Sequence, residues 1–278
     1  MNMLYQVIGI SKQAVHQYDK RQAIFDEQVR QLILEADELR AEHPGCGVEK
    51  MHYTLAPDFI GRDRFVALMM QLGYRLKRKK NYKRTTITSK VYYPNLIKGM
   101  PVVAPSIVWQ SDITYILIGE LYYYAVFIID VYTKKVVGYQ VSEHMRATAN
   151  LAALKMALKD HKAPKFHHSD RGSQYTYNEY VDTLKALGCK LSMCVSAQDN
   201  AYAERINRTI KEEYLDHWKP ISFQQLKRCT KKAVNHYNKD RPHDNIYRMS
   251  PLTFENYWER LTPEQRPITT IFNNEINV

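Results

Sequence analysis

Three carboxylates occupy positions where a purely structural role is hard to supply. Asp112 interrupts the apolar run SIVWQSDITYILI, Asp170 lies just past the short run Lys165-Phe166-His167-His168, and Glu204 sits in a strongly helix-forming stretch. An ionised carboxylate beside a sheet core is costly unless it is paired or metal-bound. Convergence of all three reverses that cost, because hard divalent cations such as Mg²⁺ choose carboxylate oxygens and water. At 100° per residue, with Glu204 at zero, Asn207 falls at about −60°, Arg208 at about +40° and Lys211 at about −20°. Tyr202, Ile206 and Ile210 cluster on the opposite side, so one face packs and the other is free for metal and phosphate. The helix taken alone also allows a surface ion pair between Glu204 and Arg208, worth a few tenths of a kcal/mol.

Other groups with chemical potential read more simply. Cys46, Cys189, Cys194 and Cys229 form no CxxC pair and no zinc-module spacing, so they are expected to be buried free thiols. His167 and His168 are strand neighbours pointing to opposite faces and cannot share a metal. Asp130 opens the turn Asp130-Val-Tyr-Thr-Lys-Lys and is expected to shape a hairpin. Trp109 and His168 are expected in the core. Lys227, Arg228, Lys231 and Lys232 form either a second DNA-facing strip or a solvated helix face.

The elements that must position these groups alternate between two patterns. Phe25, Val29, Leu32, Ala36 and Leu39 recur at steps of four and three, predicting a helix over 22–42 that ends at His43-Pro44-Gly45. Short helices are predicted over 48–55 and 62–72, the latter burying Phe65, Leu68, Met69 and Leu72 before a stop at Gly73. From residue 106, three β-branched and aromatic runs predict sequential strands. Helix 148–161, strand 165–168, helix 176–187, strand 190–195 and helix 200–215 follow, with Thr176 and Glu179 as a capping box and Gly188 as a stop. This order predicts an α/β domain around a mixed sheet. The expected division is a helical, basic DNA-binding region over 1–90, a Pro/Gly-rich linker over 91–105, a core over 106–219 and a helical extension over 220–278.

The chain has 278 residues, 45% apolar and 25% charged, with a net charge of +11. Residues 60–100 hold 11 Lys/Arg and only one acid, Asp63. Arg75, Lys77, Arg78, Lys79, Lys80, Lys83 and Arg84 interleave there with Tyr74, Tyr82, Tyr92 and Tyr93. That composition suits a nucleic-acid backbone, since covering phosphates releases condensed counterions and tyrosines can pack on sugars or bases. No apolar run approaches the roughly 20 residues of a membrane span, and the start lacks an export signal, so the cytosol is the expected compartment.

The blocks Trp109-Gln-Ser-Asp112-Ile-Thr-Tyr115, His168-Ser-Asp170-Arg-Gly172-Ser-Gln174-Tyr175-Thr176 and Asp199-Asn200-Ala-Tyr-Ala-Glu204-Arg-Ile-Asn207-Arg-Thr-Ile-Lys211-Glu-Glu213 resemble the three catalytic blocks of bacterial insertion-sequence transposases. The chain is similar to the OrfB-type proteins of insertion-sequence family three, whose core resembles retroviral integrases. Tyr237-Asn238-Lys-Asp-Arg241-Pro242-His243 and Ser250-Pro251 resemble that family's tail motif, and the likeness runs from about Val29 to Phe254. The interval between Asp170 and Glu204 is shorter than the family's by roughly two residues, in the loop before Asp199.

The resemblance implies an RNase H-like mixed five-stranded sheet with flanking helices, preceded by a small all-helical DNA-binding domain. It also implies that Asp112, Asp170 and Glu204 form a D-D-E triad holding two Mg²⁺ ions, which Mn²⁺ can replace. Two such ions roughly 3.5 to 4 Å apart clamp a phosphodiester, one activating the attacking oxygen and one stabilising the leaving 3′ oxygen. Water would cut the element's end, and the exposed 3′-OH would attack a second DNA phosphate. Lys211, Arg208 and Asn207 would contact DNA, with Asn200 supporting the site from behind. The implied partners are double-stranded DNA as terminal inverted repeats and target, further copies of the chain on that DNA, and an upstream-frame helix-turn-helix protein or fusion. The implied place is the bacterial nucleoid. Two other functions share these features: a DNA-binding repressor or architectural protein with a dead core, and an RNase H-like nuclease without strand transfer.

Overall fold

In the computed structural model, which describes residues 11–76 and 92–271, the chain forms two compact units, one on either side of residues 77–91. The basic residues Lys77, Arg78, Lys79, Lys80, Lys83 and Arg84 lie outside the described residues, while Arg75 is exposed at the end of the first unit.

In the first unit, α1 spans Lys12–Glu42 and starts ten residues before the expected position 22, because Ser11 caps it by accepting from the Ala14 N–H at 3.1 Å. Helices α2 (Val48–Leu55) and α3 (Arg62–Gln71) close a small core of Leu32, Ala36, Met51, Phe65 and Met69. Leu72, expected inside, is exposed, since the helix ends before it. The chain then turns through Gly73 at φ +90°, a conformation that favours glycine, and the Tyr74 N–H returns to the Met69 carbonyl.

The second unit is built on five strands in the order β4-β3-β2-β5-β6. Strands β2 (Val108–Ile118), β3 (Leu121–Asp130) and β4 (Val136–Ser142) form an antiparallel meander, and β5 (Phe166–Ser169) and β6 (Lys190–Met193) add in parallel. Strand β3 shows why both faces are covered. Val126 and Ile128 enter one apolar cluster with Leu151, Leu154, Tyr180 and Leu184, whereas Phe127 and Ile129 enter another with Ala203, Ile206, Ile210 and Leu226. Helices α4 (Ala147–Asp160) and α5 (Asn178–Ala186) therefore cover one face, and α6 (Ala201–Ile210) and α7 (Phe223–Lys239) the other. Helix α4 crosses so near β4 that a Cβ on Gly138 would strike the Ala153 carbonyl oxygen. This mixed sheet between helices is the expected RNase H-like architecture.

Three local expectations need correction. Of the segment 91–105, expected as a linker, the described part from residue 92 is anchored: Ile97 and Val102 are buried, and β1 (Pro101–Val102) pairs with β7 (Thr269–Thr270). The 220–278 extension is not separate either, because Leu226, Ala233 and Val234 of α7 complete the second sheet cluster, and Phe254 of α8 (Pro251–Glu259) packs with Ile97 and Val102. Thr176 does not cap a helix. It closes a 3₁₀ turn, Ser173–Thr176, by donating to the Ser173 carbonyl, and α5 begins two residues later without a side-chain cap. Asp130 behaves as expected, its Oδ1 accepting from the Tyr132 and Thr133 N–H groups and its Oδ2 from the Ser106 N–H.

Candidate active site

The parallel register sets two of the three carboxylates side by side. Ser111 on β2 pairs with Ser169, the last residue of β5, so Asp112 on β2 and Asp170 just past the end of β5 each follow a paired residue. Asp112 lies on the sheet face covered by α6, and there the Asn207 Nδ2 donates to its Oδ2 at 2.8 Å. Asp170 is turned inward by its own loop, its Oδ1 accepting from the Gly172 N–H at 3.0 Å. A Cβ at Gly172 would stand 2.9 Å from that Oδ1 and 2.9 Å from the Gln174 Oε1, so the turn is shaped around the absence of a side chain. Glu204 is exposed on the first turn of α6.

Helix α6 is fixed to β2 by a residue that motif and spacing did not single out. The buried Gln110 accepts from the Tyr202 N–H at 3.1 Å and the Ala203 N–H at 3.4 Å, and donates to the Asp199 carbonyl at 3.1 Å. A side chain from the strand of Asp112 thus caps the helix of Glu204. Asn200 reinforces the join, its Nδ2 donating to the Ser111 carbonyl at 3.1 Å. The only sequence signal for Gln110 is a polar residue at an inward position of an apolar strand.

Electrostatics link the three acids. Burial, followed by the charge of Asp170 and then of Glu204, pushes Asp112 up to about 8, against the opposing pull of the Ile113 N–H and Asn207. Asp170 is raised by burial, and Glu204 by burial with a further contribution from Asp170, offset by Arg208. Like charges close enough to perturb one another titrate as a group. Arg208 counters the charge of Glu204 only, and the donors of the set, all hard oxygens, suit a divalent cation of the Mg²⁺ type. The buried Asn207 Oδ1, left without a hydrogen-bond partner beside Asp112, offers one more acceptor of the same kind. Among the described residues no three of His, Cys, Asp and Glu form a ready ligand set. The acids interact through space.

The remaining side chains sort by position. Asn207, expected to face DNA, is buried and holds Asp112 instead. Lys211 is half-buried, its Nζ 5.1 Å from the Tyr115 ring centroid, and burial lowers its pKa. Arg208 is exposed, with its Nε 3.7 Å from Glu212. His168 is buried with its Nδ1 2.8 Å from the Ser192 hydroxyl, and burial depresses it to about 4. Behind the acids, the Ser111 Oγ and Tyr175 hydroxyl share a hydrogen bond at 3.0 Å.

Two models of the integrase core domain match residues 103–198 and 187–251. The transposase for insertion sequence element IS904 of Lactococcus lactis is 32% identical over 194 residues, covering 66% of this chain and 74% of the relative. This chain belongs to the insertion-sequence transposases. Within that family it is also similar to transposase InsF of insertion sequence IS3A from Escherichia coli, 32% identical over 160 residues, 55% of this chain and 54% of the relative, which agrees with the expected kinship to family three. The fold likeness extends to a chain in a cryo-electron microscopy structure of the simian T-cell lymphotropic virus intasome in complex with PP2A regulatory subunit B56 gamma. That match has a TM-score of 0.51 at 14% identity and covers 84% of this chain and 77% of the other.

In this transposase the tail motif is a set of clamps. Asn238 pairs with the backbone of Val136 through both amide atoms, each at 2.9 Å, extending the sheet edge with a side chain. Arg241 makes a two-pronged contact with Glu213, both bonds at 2.7 Å, joining the end of α7 to the π-helical turn Lys211–Leu215. Lys211 begins that turn. The same turn is also tied to α7 through Tyr214, whose hydroxyl lies 3.0 Å from the His236 Nδ1. Among the described residues, no helix is long and apolar enough to cross a membrane.

Proposed function

We propose that this transposase cleaves 3′ ends of its insertion element and transfers them to a second DNA site, with Asp112, Asp170 and Glu204 as the metal-holding catalytic residues. The observation that carries the reading is that Asp112 and Asp170 each follow directly on the paired Ser111 and Ser169 of two adjacent parallel strands, and that the charge of Glu204, on the helix clamped by Gln110, reaches Asp112. Bound Mg²⁺ would lower the pKa of the attacking oxygen and stabilise the leaving 3′ oxygen. The protein's own groups orient and hold. Asn207 fixes one oxygen of Asp112, Gly172 fixes one of Asp170, and Arg208 and Lys211, four and seven residues on from Glu204, would hold a DNA phosphate brought to the site.

The attacking group comes from outside the protein. Ser111 is tied to Tyr175, and burial, ahead of the nearby acids, pushes the Cys194 thiol up to about 12. Neither is a ready nucleophile near neutrality, which leaves water for cleavage and a DNA 3′-OH for joining. The partners implied are the element's terminal repeats, a target duplex, further copies of the chain and an upstream-frame helix-turn-helix protein.

The test is end cleavage on a duplex carrying the element's terminal repeat with Mg²⁺. Asp112→Asn, Asp170→Asn and Glu204→Gln are each expected to reduce cleavage to background while DNA retention persists. Wild-type activity in any of them refutes the assignment. Pre-cut ends with free 3′-OH groups should yield joined products. Cleavage without joining would mark a nuclease, and retention with no response to metal a repressor.

A further inference from the structure

A second surface, made by other elements than the carboxylates, is a groove of ≈ 320 Å³ between the outer strand β4 and α7. It is lined by Tyr139 and Gln140 of β4, Met156 of α4, and Lys227, Arg228 and Lys231 of α7. Helix α7 spans seventeen residues without a single acid, and it buries Leu226, Thr230, Ala233, Val234 and Tyr237 against the sheet. At 100° per residue Lys227, Lys231 and Arg228 fall within about 100° of arc, so the helix that packs on one side shows a cationic stripe on the other.

That charge is not neutralised. Lys227, Arg228 and Lys231 are exposed, and among the described residues none of them is in an ion pair with a carboxylate. A solvated helix face normally mixes signs through i, i+4 pairs. Here the cations share the groove with Tyr139 and Met156, beside β4, which among the described residues is an edge strand of its sheet. Three concentrated positive charges, aromatic and apolar surface between them and an open groove suit a polyanion with sugar faces.

We infer that this groove seats the phosphate backbone of duplex DNA, independently of base sequence. The inference rests on the reading of the chain as a DNA strand transferase and adds a contact surface to it. The seat carries a salt-dependent share of the affinity, because each phosphate covered releases counterions.

The full-length protein is titrated with a labelled duplex of unrelated sequence by fluorescence anisotropy between 50 and 200 mM NaCl. The triple variant Lys227→Gln, Arg228→Gln, Lys231→Gln is compared with Lys159→Gln, Lys162→Gln, Lys165→Gln, which removes equal charge from another exposed surface. The groove variant is expected to flatten the slope of log K against log salt by about 2 to 3, so that wild-type binding falls about 20- to 60-fold more than the variant's over that range. The control variant should leave the slope near wild type. Melting curves of both variants should match wild type, since all six side chains are exposed. An unchanged slope in the groove variant, equal flattening in the control, or no duplex retention by the wild type overturns the seat. End cleavage at low salt and saturating DNA separates the two readings. Cleavage with an unaltered salt slope removes the groove and leaves the catalytic assignment, whereas a groove-dependent slope without cleavage does the reverse.

Discussion

Replacing Asp112 by asparagine should stabilise the folded protein while silencing it. Burial and the charges of Asp170 and Glu204 lift Asp112 from 3.8 to about 8. The folded state therefore holds a proton that the unfolded chain has already released, and stability is fullest near pH 4 and lost as pH rises towards 8. Each pH unit of that window is worth about 1.4 kcal/mol, which sets a ceiling of about 6 kcal/mol across it. Glu204 is exposed, so water reaches the site and an effective dielectric well above that of a dry interior brings the expectation to about 2–3 kcal/mol. Asparagine keeps the shape and can still present Oδ1 to Asn207. Urea unfolding in EDTA at pH 8 should show Asp112→Asn more stable than wild type by that amount, with the gap closing at pH 4.5. Adding Mg²⁺ at pH 8 should also close it, by stabilising only the wild type. Lower stability of the variant at pH 8, or an unchanged pH dependence, would refute the reasoning.

Gln110→Ala removes the cap of α6 and leaves two N–H groups and a carbonyl without their partner. Chemical denaturation should show a loss of about 1–2 kcal/mol, and cleavage should fall further than stability explains, because Glu204 loses its fixed position. Gly172→Ala is expected to leave the melting curve within about 1 kcal/mol of wild type yet lower cleavage at least tenfold, since the new Cβ displaces the Asp170 carboxylate. Normal cleavage by that variant would remove the argued role of the turn. Arg241→Ala strands the largely buried Glu213 and should cost about 3–5 kcal/mol in urea unfolding. A cost below 1 kcal/mol would show that the Arg241–Glu213 pair does not hold the end of α7.

The sheet was legible because strand patterns are local: VWQSDITYILI and LYYYAVFIID could only be long β runs, and the helix before β6 carried its own stop at Gly188, as α1 in the first unit did at His43-Pro44. The three acids were legible through their motif blocks. Their support was not. Nothing local marks Gln110 as the cap of a helix some ninety residues later, or Asn207 as a buried partner of Asp112 rather than a DNA contact, since both depend on which face of β2 meets α6. The tail motif gave residue types without partners, and the Asn238 and Arg241 clamps needed the tertiary fold to be seen. The linker reading failed because Pro and Gly in 91–105 mark turns, while Ile97 and Val102 bury themselves in a core supplied by distant residues. Likewise, the early start of α1 follows from its Ser11 cap and from residues that favour helix without an apolar stripe.

Anomalous diffraction from crystals soaked in Mn²⁺ tests the central assignment most directly. Metal peaks within coordinating distance of carboxylate oxygens of Asp112, Asp170 and Glu204 are predicted, together with their loss in Asp112→Asn. Peaks confined to other sites, with the three side chains turned away from one another, would contradict it.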